Sequence, residues 1–262
     1  MKTYLDALKE IMGTGEDRVG RNGDTRSLFG MQMKYNLKKG FPIITTKKIN
    51  FSSIKAELLW FLSGSVNIKD LHKLGCHIWD ANADNWGNDG DIGRGYGYQW
   101  RNWEGNRDQI TDIIEQIKFN PNSRRLIVTA WNPNDIDKTA LPPCHCFFQF
   151  YVSGEYLSLQ LYQRSGDMFL GVPFNISSYS LLLSIIAQVT GKVPHHFIHT
   201  LGDAHIYHSH FKQVKVQVER EPMELPSLWI NPLVKRIENF RMEDFELINY
   251  KSYGTIKAEM KV

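Results

Sequence analysis

Cysteine is scarce in this chain of 262 residues: three are present, an odd number without a CxxC pair, which excludes a disulfide framework and points to a reducing compartment. Charge of one sign is lacking too. Lys and Arg total 31 against 28 Asp and Glu, a net +3, too little for a nucleic-acid scaffold but suited to an anionic small substrate. Long hydrophobic runs are missing: the longest, Leu181–Val189, falls short of the roughly 20 residues a bilayer span needs. The start, Met1-Lys2-Thr3-Tyr4-Leu5-Asp6, has an early acid and no apolar core, so no secretory leader is expected. No Walker loop, dinucleotide fingerprint, repeat or low-complexity linker occurs. What remains is ordinary globular composition, 42% hydrophobic and 23% charged, which excludes disorder, collagen-like repeats and coiled coil. A soluble cytoplasmic enzyme is expected.

Hydrophobic spacing predicts helices at Tyr4–Met12, Ile54–Leu62, Asp108–Phe119 and Ile176–Val189, the last closed by Gly191. Strand patterns cover Ser27–Leu37 and Arg125–Trp131. Cys144–Val152 and Tyr156–Arg164 flank Ser153-Gly154-Glu155 as a hairpin. The elements mix without strict alternation. An α+β fold follows, with residues 1–262 as a single domain holding a large mixed β-sheet flanked by helices.

Several residues stand out chemically. Cys144 follows the stiff Pro142-Pro143 and opens a strand, which suits a nucleophile if cationic neighbours lower its pKa. The plainer alternative is a core cysteine sharing a strand face with Cys146, Phe148 and Phe150. Glu57 falls inside the apolar stripe formed by Ile54, Leu58, Phe61 and Leu62. A carboxylate there is either paired or pushed towards a neutral pKa fit for proton transfer. Arg124, Arg125 and Arg164 lie at strand ends, and Arg18 and Arg21 lie in a Gly-containing loop. All are candidates for phosphate, though each alone is more often a surface charge. Asn175 precedes an apolar helix, as its N-cap or as a reader of an amide-like edge. Six of nine histidines fall between His195 and His210, but in no metal-ligand spacing, and Cys144-His145-Cys146 is a poor zinc site. No metal is expected.

These residues sit in longer runs. Leu141-Pro142-Pro143-Cys144-His145-Cys146-Phe147-Phe148 resembles the nucleophile segment of the thymidylate synthase family. Gln163-Arg164-Ser165-Gly166-Asp167-Met168 with Gly171-Val172-Pro173-Phe174-Asn175 resembles its nucleotide-binding stretch, and Gly202-Asp203-Ala204-His205-Ile206-Tyr207 its ribose motif. Phe41–Lys48, Glu57–Leu62, Tyr96–Arg101, Ser123–Arg125 and Ile256–Val262 continue the likeness in order along the chain.

The resemblance implies conversion of dUMP and 5,10-methylenetetrahydrofolate to dTMP and dihydrofolate, with the folate as a co-substrate giving both carbon and hydride and with no metal. By the same resemblance, Cys144 is the nucleophile and Arg164 lies close enough to favour its thiolate. Glu57 moves protons, Tyr96 assists at carbon 5, His145 belongs to the polar network, and Asn175 reads the base. Substrate binding falls to Arg21 (preferred over Arg18), Gln163, Arg164, Ser165, Gly166, Asp167 and Asn175, with His205 and Tyr207 on the ribose. Arg124 and Arg125 come from the partner of a homodimer. Lys47, Asn50, Trp79, Asp167, Gly171, Lys261 and Val262 contact the folate. Asn50 stands where that family often has histidine. The alternative within the same superfamily is a uracil- or cytosine-nucleotide hydroxymethylase, and Asn175 favours uracil. A nucleic-acid-binding protein and a Cys144–Cys146 redox pair are weaker alternatives, and no membrane role is expected.

Overall fold

The computed structural model describes residues 1–261. The chain runs through α1 (Lys2–Thr14), β1 (Glu16–Arg18), β2 (Thr25–Asn36), α2 (Phe51–Ser63), α3 (Ile68–Lys73), α4 (Asp80–Trp86), α5 (Tyr96–Arg101) and α6 (Gln109–Phe119). It continues through β3 (Ile127–Thr129), β4 (His145–Ser153), β5 (Tyr156–Asp167), α7 (Gly171–Thr190), β6 (Val193–Tyr207), α8 (Phe211–Val218), β7 (Ser227–Ile230) and β8 (Phe245–Ile248). Six strands form a mixed sheet in the order β1-β2-β6-β5-β4-β3. Its strands pair antiparallel except β5 with β6. Parallel neighbours need a crossover, and α7 supplies it. The result is the expected α+β arrangement of a large mixed sheet with helices.

The β4–β5 hairpin forms as its alternation predicts, with Ser153 opposite Tyr156 and Gly154 turning at φ 60°. That left-handed backbone is cheap for glycine. Phe148 and Phe150 point inward, while Phe147 and Tyr151 face out. At the other end of β4 the register slips between His145 and Phe147. This bulge breaks the alternation that would place Cys144 on one face with Cys146, Phe148 and Phe150. Cys146 instead turns its thiol towards the carbonyls of Pro143 and Cys144. Bulges re-aim side chains at the ends of strands, and here the re-aimed residues are Cys144 and His145.

Helix α7 begins at Gly171, five residues before the expected Ile176. Gly171 and Pro173 read as breakers, yet the first turn of a helix has no intrahelical use for its N–H groups. Asn175 is therefore inside the helix and not its N-cap. The N-cap position falls to Leu170, which makes no side-chain cap bond, and Asp167 holds the turn before the helix, accepting from the N–H of Phe169 at 2.8 Å and of Leu170 at 3.1 Å. The longer helix also corrects the apolar-run estimate. Its 20 residues have a mean hydropathy of 1.4, enough by length and composition to cross a bilayer, but 89% of that window is buried inside the fold. Its serines return their hydroxyls to backbone carbonyls: Ser180 to Ile176, Ser184 to Ser180, Ser177 to Pro42. Thus α7 is the core helix between the sheet and the layer of α2 and α6. Helix α5 crosses α2 closely at Gly97, where a Cβ would lie 2.8 Å from the Ser65 carbonyl oxygen.

Candidate active site

A cavity of about 290 Å³ opens where the bulged end of β4, the end of β5, the first turns of α7 and the starts of α4 and α5 converge. Cys144 lies in its wall with Glu57, Trp79, Tyr96, His145, Gln163, Ser165, Asp167, Gly171 and Asn175. All three cysteines are free thiols. Burial pushes the Cys144 thiol up, and the Arg164 cation pulls it down without cancelling that rise. Arg164 thus favours the thiolate in the direction the resemblance implies, but burial outweighs it and favours the protonated thiol. Arg164 braces the approach to it: Nε donates to the Pro143 carbonyl at 3.0 Å and Nη2 to the Pro142 carbonyl at 2.7 Å. The Tyr96 hydroxyl oxygen accepts from the Cys144 N–H at 2.8 Å, and its pKa lies well above the ordinary phenol value because the ring is buried and the Cys144 charge would oppose its own. Tyr96 can donate into the cavity but does not itself ionise near neutral pH.

Glu57 sits on the inward stripe of α2, as its spacing predicts, and is 9% exposed. Desolvation raises its pKa to about 7, and the Trp79 indole N–H, donating to Oε1 at 2.8 Å, restrains that rise. A carboxyl near neutrality can both give and take a proton at pH 7. Opposite it stands a polar chain of three residues. Gln163 donates from Nε2 to Asn175 Oδ1 at 3.1 Å and to the Ser165 carbonyl at 2.9 Å. With both N–H bonds committed, its Oε1 accepts from His199 Nε2 at 2.8 Å. Burial lowers His199 to about 3, so it stays neutral. Asn175 is thereby fixed with its Nδ2 donors and a lone pair of Oδ1 available. His145 is also neutral: burial lowers it to about 4, with Asn175 acting against the drop and Arg164 with it.

The strand pairing Asp167↔His205 brings the ribose candidates to the same end of the sheet. His205 Nδ1 lies 3.3 Å from Asp203, and the His205 and Tyr207 rings meet edge to face at 5.2 Å. Burial raises the Tyr207 phenol, the charges of Asp167 and Cys144 raise it further, and Arg21 lowers it. Arg18, by contrast, pairs with Asp203 at 3.6 Å.

Other candidates lie elsewhere. Lys47 is buried beneath the start of α7, its ammonium donating to the Phe169 carbonyl and lying 3.6 Å from the ring centroid of the same residue. Burial lowers its pKa to about 7, against the opposing pull of Asp167. Asn50 caps α2, accepting from the N–H groups of Ser52 and Ser53. Gly166 packs against Leu201 and Val172 so tightly that a Cβ would overlap both. Arg124 and Arg125 are exposed just before β3. Ile127 faces Gln149 there, so roughly 20 Å of strand separates them from Cys144. Lys261 pairs with Glu259 at 2.5 Å, and Val262 lies outside the described residues. Yet the tail does reach the site: Met260 lines the cavity, and the Glu259 carbonyl accepts from His210 Nε2 at 2.8 Å.

Sequence reading missed Ile78, Asn82, Leu141, Leu170, Phe174 and Met260 as cavity lining. The signal was weak, because most of them are apolar. Asn82 follows Trp79 by three residues, the spacing that puts both on one helical face. His199 was legible only as one histidine among six. A family model described as thymidylate synthase matches residues 2–262.

Proposed function

The chain belongs to the thymidylate synthase family, a folate-dependent enzyme superfamily acting on nucleotides, and from that premise we propose that it methylates dUMP reductively to dTMP. The observation that carries this reading is one cavity shared by a buried thiol, a carboxyl near neutrality and an asparagine of fixed orientation. The Asn175 amide offers donor and acceptor together, the complement of the uracil O4 and N3–H edge. Arg164 and Ser165, with Arg21, would hold the phosphate, and His205 with Tyr207 the ribose. The influence of Arg21 on Tyr207 favours it over Arg18, which is engaged with Asp203.

The apolar wall of Ile78, Trp79, Leu141, Leu170 and Phe174, broken by Asn82 and Asp167, suits a flat conjugated ring with a hydrogen-bonding edge. When bound there, 5,10-methylenetetrahydrofolate would supply the carbon and the hydride. Trp79, Asp167 and Gly171 would orient it, and the tail at Met260 would exclude water. Cys144 Sγ would bond to uracil carbon 6, sending electrons to carbon 5 and the O4 carbonyl. Glu57 would exchange protons near that carbonyl through water, and Tyr96 would hold a water near carbon 5. Because the resting thiol is held protonated by burial, its proton would pass to cavity water as the Sγ–carbon 6 bond forms, with the Arg164 cation favouring that loss. We further place the enzyme in the cytoplasm, in keeping with its free thiols. It would be a homodimer, since Arg124 and Arg125 are too far from their own Cys144 to complete its site.

Cys144→Ser tests the reading. Turnover should fall by more than about a thousandfold while dUMP binding by calorimetry persists. Retained turnover would remove the covalent route.

A further inference from the structure

We propose that His72, His77 and Asp80 form a binding site for a divalent transition-metal ion of the zinc class, beside the wall that carries Trp79. His72 lies in the last turn of α3, and Asp80 opens α4. Between them the chain turns at Gly75 with φ +74°, which brings the end of one helix against the start of the next. His72 Nε2 lies 2.7 Å from Asp80 Oδ1, and His77 Nδ1 lies 3.1 Å from Oδ2. The three donor atoms fall within 4.8 Å of one another, and among the described residues this is the one such group of three. The two imidazole rings are stacked at 4.2 Å, so both edges already converge on the same carboxylate.

Two imidazoles and one carboxylate form a borderline nitrogen–oxygen donor set, favouring zinc, copper or nickel over calcium or magnesium. Binding needs little rearrangement. Each histidine moves its proton to the other ring nitrogen, and the nitrogen that donated to Asp80 turns its lone pair to the ion. The Asp80 carboxylate offsets one of the two positive charges. Side-chain exposures of 33% for His72, 40% for Asp80 and 64% for His77 leave one side of the site to water, as an open fourth position requires. The ion would tie α3 to the start of α4, directly beside the indole that donates to Glu57. Its expected effect is on the rigidity of that wall, separate from the chemistry at Cys144.

The experiment is calorimetric titration of Zn²⁺ into the full chain carrying Cys144→Ser, so that the cavity thiol does not contribute. One site per chain is expected, weakened more than about tenfold by His77→Ala and equally by His72→Ala. Metal-free melting of both variants is compared with the parent, and His77→Gln replaces either variant if it does not fold. Unchanged affinity in these variants would overturn the proposal. So would loss of binding in His195→Ala or His196→Ala, an adjacent pair whose rings lie at 3.7 Å.

Discussion

Glu57 shows how far a single residue can be read. Its place in an apolar stripe was visible in the spacing alone, and burial duly lifts its carboxyl to about 7 from an ordinary 4.5. An acid whose folded pKa is raised gives stability that is complete below the unfolded value and is lost as pH climbs through the folded one. Between about pH 5 and 8 the wild-type protein should therefore lose on the order of 1–3 kcal/mol that Glu57→Gln does not lose. The variant should melt roughly 2–6 °C higher than wild type at pH 8, with the gap closing by pH 5, while turnover collapses. A gap independent of pH would mean that Glu57 ionises as an ordinary surface acid. The state of Cys144 was less legible. Its neighbour Arg164 is apparent in sequence, but the desolvation that outweighs it comes from elements such as α5 and α7, remote along the chain.

At the scale of elements, the hairpin and α6 followed from periodicity because each buries one face, and α2 followed from its apolar stripe although it is buried on most sides. Two boundaries did not. The bulge at His145 depends on pairing with β5 and has no local signature. The early start of α7 hides behind Gly171 and Pro173, residues that end helices elsewhere but fit a first turn. Asn50 is the useful test at this scale, since the family resemblance suggests a folate contact and the geometry spends its side chain on capping α2. Asn50→Ala should cost about 1 kcal/mol and leave the KM for the folate unchanged, while Asn50→Ser should melt like wild type. A raised KM with unaltered melting would return Asn50 to the folate.

At the scale of the whole molecule, the described residues leave exposed apolar side chains on the sheet, where Phe147 stacks on Tyr162 and Ile127 and Tyr151 are 45% and 69% exposed. Apolar surface of this kind suits a second copy of the chain, and Arg124 and Arg125 border it. Arg124→Ala and Cys144→Ser proteins, each inactive alone, should regain roughly a quarter of wild-type activity after subunit exchange, because half the dimers are hybrids with one intact site of two. No recovery despite proven exchange would argue for self-contained sites. That sharing was suggested by resemblance, since no local pattern marks an arginine as working in another subunit. The most direct measurement remains the reaction itself: wild-type protein with dUMP and 5,10-methylenetetrahydrofolate, followed by absorbance and by product mass. The expected result is dihydrofolate formation that needs both substrates and matches dTMP mole for mole. Hydroxymethyl-dUMP without dihydrofolate, or dUMP returned unchanged, would contradict reductive methylation.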